Sequence, residues 1–250
     1  MEPLLRTSVK KDTPSKRLQN WRTTHRNFSR KTARRTCQPG AVNFSAGWFA
    51  QGHTVRLLFH SMNRGKLTVN KSEKYPLLPS LNLRKQLYLG SSNWLTMSND
   101  MERFLNLTLS LIHPELFQSG LLMLKKLREL ESTRDIALKW QSIYTGVAII
   151  SNRRTPSHRD SKGRPEWFDT LVNYCGHGNK PRLLIKDLGL NLKYSSGTVV
   201  SFCGSILEHE VKSRGNGNRV CFAHFMQESV RKRLEVPPAG WVYQSAYVSD

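Results

Sequence analysis

Three residues in the second half of the chain have side chains that can bind a metal ion. His158 and Asp160 stand two apart, and His209 follows much later in the sequence. Two imidazoles and one carboxylate can occupy one face of a non-haem Fe(II), which leaves the opposite face open for a cosubstrate and O₂. These residue types predict oxygenase chemistry, with His158, Asp160 and His209 as both the iron ligands and the catalytic residues.

The spacing of this set suits a β fold. At the end of a strand, residues two apart project from the same face, so His158 and Asp160 can bind one ion. His209 follows a strand-like run at 197–207, and a neighbouring strand could place it opposite the first pair. The His-x-Asp string alone is a weak signal, because it occurs by chance in roughly one chain of this size in four.

Arg219 strengthens the prediction, because it opens the next strand-like run. A guanidinium there can form a two-pronged pair with the distal carboxylate of 2-oxoglutarate. Strand alternation places Cys221 and Ala223 on the same side as Arg219, and both are small, as a cosubstrate pocket requires. We therefore assign Arg219 and Cys221 to a cosubstrate site, with a surface arginine as the alternative.

Other metal and hydrolase chemistries are less well supported. Cys175 and His177 could bind zinc, but the four cysteines of the chain include no Cys-x-x-Cys pair. The string at 113–115 has only the first half of a zinc deaminase signature. No Gly-x-Ser-x-Gly elbow of a hydrolase occurs.

The charge of the chain indicates a polyanionic partner. The formal net charge is +21, which favours nucleic acid first and an anionic membrane second. Positive charge is densest in a basic N-terminal arm at 1–38, which is either a solvated tail or a phosphate-binding segment. The arm is compatible with a nuclear import signal or an organelle transit peptide, and we expect a nuclear location. No apolar run approaches the roughly 20 residues of a membrane span, so we expect no membrane partner.

The elements that must position these residues change type along the chain. In residues 39–89, short apolar pieces are mixed with Gly, Pro and Asn, which predicts an irregular basic region that could face DNA. Helices are predicted from Asn99, where Asn99 and Glu102 form a candidate capping box, to about residue 140, with a new helix at Pro114. Period-two patterns then predict strands at 146–151, 170–174, 183–186, 197–203 and 220–226.

Helices gathered before a run of strands predict an α+β fold, with an antiparallel sandwich or barrel and helices packed on one side. We divide the chain into the arm at 1–38, the irregular region at 39–89 and a core at 90–250. Within the core, supporting helices occupy about 99–140, the β core about 144–230, and a C-terminal tail follows.

An ordered set of strings in the stretch 140–243 resembles the TET/JBP family of DNA-base dioxygenases, and most closely its fungal, transposon-associated branch. The strings are 98–101 before the helices, then 144–153, 156–167, 196–204, 209–211 and 219–226. The resemblance covers about residues 80–245. Because the strings recur in order, they are far more specific than His-x-Asp alone.

The resemblance implies a double-stranded β-helix, a jelly-roll or cupin-like core. It implies Fe(II) held by the His158, Asp160 and His209 triad, and 2-oxoglutarate anchored by Arg219. A second arginine just before the His-x-Asp string reaches the cosubstrate in this family; Arg153 is the candidate, with Arg154 as the alternative. The family's reaction couples decarboxylation of 2-oxoglutarate to succinate with hydroxylation of a methyl group by O₂.

The resemblance also implies a partner, duplex DNA that carries methylated bases. The methylated nucleotide must flip out of the duplex to reach such a site. We expect a monomer. One alternative is a catalytically idle module that binds methylated bases or is a transposon-associated DNA-binding module. The other is the same chemistry on RNA or protein.

Candidate residues for reading the flipped base follow the His-x-Asp string. The Asp169 carboxylate could accept from an exocyclic amino group, although a solvated or ion-paired aspartate is the alternative. Gly163 could leave room for a purine. Trp167 and Phe168 are possible stacking surfaces or core residues. Family kinship implies 5-methylcytosine as substrate, and the fungal branch adds N6-methyladenine; the sequence does not rank them.

Overall fold

The computed structural model describes residues 39–47, 77–80, 83, 89–161, 163–176, 181–211 and 218–243. The arm predicted at 1–38 lies outside these residues, as does most of the irregular region, so the division into these segments stays a prediction. None of the helices in the described ranges is both long enough and apolar enough to cross a membrane.

The strands form two antiparallel sheets. In chain order they are β1 (Gly40–Phe44), β2 (Gly146–Ser151), β3 (Thr155–His158), β4 (Asp169–Cys175), β5 (Arg182–Ile185), β6 (Leu190–Lys193), β7 (Val199–Phe202), β8 (His209–Val211) and β9 (Arg219–Phe225). The five-stranded sheet has the order β1-β2-β9-β4-β7, and the four-stranded sheet has the order β3-β8-β5-β6. Apart from β5 and β6, which follow each other directly, neighbouring strands in both sheets are distant in sequence, so the fold brings widely separated residues together.

Helices cover one side of the five-stranded sheet. They are α1 (Leu89–Met97), α2 (Asn99–Ile112), α3 (Pro114–Glu129), α4 (Arg134–Lys139) and, after the last strand, α5 (Glu228–Arg233). Leu105 and Leu116 from the helices share one apolar core with Val147 and Phe222 from the sheet. This arrangement confirms the predicted α+β fold with helices on one side.

A second apolar core lies between the two sheets. Its buried residues are Leu183, Ile185, Tyr194, Phe202, Val211 and Cys221. Along β9, Val220 and Phe222 belong to the helix-side core and Cys221 belongs to the core between the sheets, as strand alternation predicted. Two antiparallel sheets that enclose a common interior are the architecture of a double-stranded β-helix.

One local prediction differs from the structure. The capping box is wrong: Ser98 is the N-cap of α2 and makes no side-chain cap hydrogen bond, while Glu102 is buried with its Oε1 atom 3.0 Å from Nε2 of His224. Upstream of the helices, β1 pairs with β2, and Phe44 lies in the helix-side core.

Candidate active site

The pairing of β3 with β8 places two histidines side by side. His158 ends β3, His209 begins β8, and the two residues are partners in the pairing. Their ring centroids are 4.2 Å apart. Asp160 follows β3 by two residues, and its backbone N–H donates to the carbonyl oxygen of Gly204 at 2.8 Å.

The three side chains converge. Nε2 of His158 lies 3.5 Å from Oδ1 of Asp160, and Nε2 of His209 lies 3.6 Å from Oδ2 of Asp160. One candidate ligand atom from each residue lies within 4.8 Å of the other two. In the described part of the chain, this is the one group of His, Cys, Asp and Glu residues that could hold a metal ion.

Backbone carbonyls set the tautomers of both imidazoles. Nδ1 of His158 lies 2.9 Å from the carbonyl oxygen of Pro156, and Nδ1 of His209 lies 2.9 Å from that of Leu207. Because a carbonyl only accepts, each Nδ1 donates a proton to it, and Nε2 is the ring nitrogen on the side of Asp160. Hydrogen bonds of this kind orient metal-binding histidines.

The site is open on one side. The side chain of Asp160 is 47% exposed, whereas that of His209 is 6% exposed. Burial lowers the pKa of His209, and the neighbouring His158 acts in the same direction. His209 is therefore held neutral, the form that binds a metal, at the closed end of the site.

A second carboxyl group lies beside Asp160. A Cβ atom on Gly204 would lie 2.6 Å from Oδ2 of Asp160 and 2.6 Å from Oδ2 of Asp169, so the backbone of this glycine passes close to both. Burial, and then the charge of Asp160, raise the pKa of Asp169 to about 8. Asp169 is therefore mostly protonated at neutral pH.

Arg219 is a buried cation at the start of β9. It is 2% exposed, and its Nε donates to Oδ1 of Asn173 at 2.8 Å. Its Cζ lies 5.3 Å from the ring centroid of Tyr194, whose hydroxyl is 3.3 Å from Sγ of Cys221. No acid among the described residues forms an ion pair with Arg219. A buried guanidinium in this state is suited to bind a carboxylate.

The metal-binding group and the buried arginine adjoin the same interior. Phe202 contacts the His209 ring with a centroid separation of 4.9 Å, and Phe202 and Cys221 belong to the core between the sheets.

Residues 76–228 match the Tet_JBP model, the oxygenase domain of the 2OGFeDO superfamily. The chain belongs to this family. The family confirms the predicted enzyme class, an Fe(II)- and 2-oxoglutarate-dependent dioxygenase.

A solved structure with the same fold is that of NgTET1 in complex with 5mC DNA. It superposes with a TM-score of 0.58 at 11% sequence identity, over 93% of this chain and 73% of that chain. A Cupin 2 conserved barrel domain protein from Salinispora arenicola aligns with a TM-score of 0.27 at 12% identity, over 36% of this chain and 69% of that chain. No curated protein matches the chain.

The structure places the other predicted residues of this Tet_JBP domain at different distances from the site. The Arg153 and Arg154 side chains are exposed, and the carbonyl oxygen of Arg153 lies 3.5 Å from Nη1 of Arg219. Gly163 has open space around it, since only Cβ of Ser205 lies within 4 Å of an added Cβ, at 3.8 Å.

Trp167 is not at the opening. It is 3% exposed and belongs to the helix-side core, so the structure places it with the packing residues instead of the stacking surfaces. Phe168 packs against the same core and meets His113 edge-on. Cys175 is half-buried, and His177, its proposed zinc-binding partner, lies outside the described residues.

Sequence reasoning missed four residues that support the site. Asn173 and Tyr194 contact the Arg219 side chain. The Asn152 side-chain oxygen accepts from the Arg219 backbone N–H at 2.7 Å, and Gly204 passes between the two carboxyls. A signal existed for Asn173, because an amide inside a predicted apolar strand needs a buried hydrogen-bond partner.

Proposed function

We propose that this protein hydroxylates the methyl group of a methylated base in duplex DNA. His158, Asp160 and His209 would hold Fe(II), and Arg219 would anchor 2-oxoglutarate. The observation that carries the proposal is the convergence of the His158 and His209 Nε2 atoms on the Asp160 carboxylate, in a chain whose family is the 2OGFeDO oxygenase domain.

The residues present fit both groups. Two neutral imidazoles and a carboxylate are the ligand set of non-haem Fe(II) oxygenases. The buried guanidinium without an acid among the described residues fits the distal carboxylate of the cosubstrate. When bound, the iron and 2-oxoglutarate supply O₂ activation coupled to decarboxylation to succinate.

The protein's own contribution is to orient these groups. The carbonyls of Pro156 and Leu207 hold the imidazole tautomers, and Asn173 holds the plane of the Arg219 guanidinium. Cys221 and the ring of Tyr194 limit the space beside that guanidinium. Arg153 remains our candidate for a second cosubstrate contact, because its backbone lies beside Arg219 and its side chain is exposed.

The charge and the family support DNA as the substrate. A net charge of +21 favours phosphate contacts on both sides of a target nucleotide. NgTET1, whose fold this chain shares, has been solved with 5mC DNA. We propose base flipping into the open side of the triad, next to Asp160, and DNA contacts by the basic arm. A monomeric state, a nuclear location and membership of the fungal branch also remain proposals.

Asp169 is our candidate reader of the flipped base. A carboxyl oxygen of Asp169 can accept from an exocyclic amino group in either protonation state, and the protonated form also offers an O–H donor to a ring nitrogen. This pair complements the amino group and ring nitrogen on the Watson–Crick edge of either 5-methylcytosine or N6-methyladenine. An added Cβ at Gly163 would meet only Cβ of Ser205, at 3.8 Å; we propose that this space admits a purine as well as a pyrimidine, so both bases are proposed substrates.

The test uses one duplex that carries both methyl marks and a matched methylated RNA. Each is incubated with the full chain, Fe(II), 2-oxoglutarate and O₂, and nucleosides and succinate are measured by mass spectrometry. We expect oxidised base from DNA and none from the Asp160→Ala variant. Unchanged DNA would overturn the proposal in favour of an idle DNA-binding module, and oxidation of RNA alone would overturn the choice of substrate.

A further inference from the structure

We propose that a network of charged side chains around the triad positions the metal ligands, with Asp187 as its bridge. The ligand-flanking network consists of Ser157, Arg159, Lys186, Asp187 and Glu208. This inference rests on the proposed iron site at His158, Asp160 and His209. It concerns residues that are not themselves ligands.

The network joins the chain segments that carry the ligands. Ser157 and Arg159 stand on either side of His158, and Glu208 directly precedes His209. Lys186 and Asp187 belong to a single 3-10 turn after β5, and the last residue of β5 pairs with His209. Three separate segments therefore meet at the outer rim of the triad.

One carboxylate bridges both ligand-bearing segments. Nη2 of Arg159 donates to Oδ1 and Oδ2 of Asp187 at 2.9 and 3.1 Å. The backbone N–H of Glu208 donates to Oδ2 of Asp187 at 2.6 Å. This backbone hydrogen bond lowers the pKa of Asp187, and Arg159 acts in the same direction, so the bridge is ionised at neutral pH.

Glu208 makes a second set of contacts. Its Oε1 accepts from Nζ of Lys186 at 3.1 Å and from the hydroxyl of Ser157. Arg159 also reaches this segment, because its Nε donates to the carbonyl oxygen of Ile206 at 2.6 Å. The network contains two cations and two anions and is therefore neutral.

The backbone pairing of β3 with β8 is irregular beside the ligands. Thr155 pairs with Val211 and His158 pairs with His209, so three steps along β3 oppose two steps along β8. Such an irregularity interrupts the regular ladder of hydrogen bonds. It lies directly beside the two imidazoles, and the side-chain contacts of the network cross the same gap.

The ordinary alternative is a set of surface ion pairs without function. The Arg159 side chain is 49% exposed, and exposed pairs contribute only about 0–1 kcal/mol to stability. A small effect on stability is therefore expected under both interpretations. The two differ in metal binding, because only a positioning role links Asp187 to the separation of His158, Asp160 and His209.

The experiment measures Mn(II) binding to the full chain by electron paramagnetic resonance, without DNA or O₂. We expect Asp187→Asn and Arg159→Gln to weaken Mn(II) binding by about tenfold, the lower end of the range for residues that orient metal ligands. The Asn amide has one acceptor oxygen and no negative charge, so it cannot replace the two carboxylate oxygens that accept from Arg159 and from the Glu208 N–H. Arg159→Lys keeps the positive charge but loses the planar guanidinium with its several N–H donors. We therefore expect its Mn(II) affinity to lie between those of Arg159→Gln and the unsubstituted chain.

Lys232→Gln is the matched control, because it removes an exposed ion pair with Glu228, of 3.6 Å, far from the triad in sequence. The unfolding temperatures of all these variants should stay within about 2 °C of the unsubstituted chain. Mn(II) affinity within twofold of the unsubstituted chain in both Asp187→Asn and Arg159→Gln overturns the proposal. Loss of folding in both also overturns it, since the network would then be structural.

The result separates this inference from the proposed function. If the unsubstituted chain does not bind Mn(II), or His209→Ala binds it equally well, the assignment of the metal to the triad fails. If the triad binds Mn(II) and the network variants bind it as tightly as the unsubstituted chain, only the positioning role fails.

Discussion

Arg219 donates from Nε to the side-chain oxygen of Asn173 across 2.8 Å, in a region where both residues are almost fully buried. A neutral amide orients the guanidinium without neutralising its charge. An acid at the same position would occupy the cation permanently. The amide therefore keeps Arg219 available for the carboxylate of a small molecule.

Asn173→Asp should close this anion site. The new carboxylate pairs with Arg219 and competes with 2-oxoglutarate, so we expect the dissociation constant of 2-oxoglutarate to rise at least about tenfold, or 1.4 kcal/mol. Calorimetric titration of the Mn(II)-loaded protein measures it. Asn173→Ala is the control, since it removes the orienting contact without adding a charge and should have the smaller effect. Equal binding by the Asp variant and the unsubstituted chain would contradict the prediction.

Gly204→Ala should damage the metal site. The added Cβ would lie 2.6 Å from a carboxylate oxygen of both Asp160 and Asp169, closer than real contacts allow. Asp160 must then move, and we expect Mn(II) affinity to fall by about tenfold or more. Gly40→Ala is the control, because its Cβ meets nothing within 4 Å. A Gly204→Ala protein with full Mn(II) affinity would show that the Asp160 carboxylate does not need its present position.

In the metal-free protein, the stability that Asp169 contributes should fall as the pH rises from about 4 to about 8. Burial raises the pKa of Asp169 from 3.8 to about 8, so the folded state binds more protons than the unfolded state within this window. Stability then falls with pH by at most about 1.4 kcal/mol per unit and levels off above it. Chemical unfolding of the chelator-treated chain at a series of pH values measures this slope.

Asp169→Asn is the matched variant for that series, and its slope over the same window should be shallower. Added Mn(II) should also reduce the slope of the unsubstituted chain, because a nearby cation favours the ionised carboxyl. Parallel pH profiles for the two proteins without metal would refute a raised pKa at Asp169.

His224→Phe should destabilise the helix layer without affecting the metal site. His224 and Glu102 form a pair with Nε2 and Oε1 at 3.0 Å, and both side chains are almost fully buried. Removing one partner leaves the buried carboxyl group of Glu102 without its hydrogen bond, which costs about 1–3 kcal/mol. Urea unfolding measures the loss, and Mn(II) affinity should not change. The double variant Glu102→Leu, His224→Phe should recover most of the stability; if it does not, packing and not the lost pair explains the effect.

The sequence predicted the parts of the fold that leave a periodic signal. Strand β2 was predicted with its observed bounds, and alternation along β9 correctly separated Cys221 from Val220 and Phe222. Strand β3 was not predicted, because Thr155–His158 is polar, short and interrupted by Pro156. Its position depends on pairing with β8, a long-range contact that no local pattern shows.

Glu102 illustrates the same limit at one residue. Its place in the first turn of α2, three residues after Asn99, suggested a capping role, but its partner His224 is 122 positions away. The network around the triad was equally hidden, because Asp187 and Glu208 resemble any exposed acid in a sequence. The sequence directly showed only residue types: histidine and aspartate side chains that can bind a metal, and an arginine that can bind a carboxylate.

The burial of Arg219, without an acidic partner among the described residues, also bears on the stability of the folded chain. A ligand that binds only the native state stabilises it by an amount that grows with the logarithm of its concentration. Under the proposed function, a dicarboxylate bound at Arg219, whose charge no described residue neutralises, should raise the free energy of unfolding even when no iron is present. The resistance of the chain to unfolding would then depend on the concentration of 2-oxoglutarate.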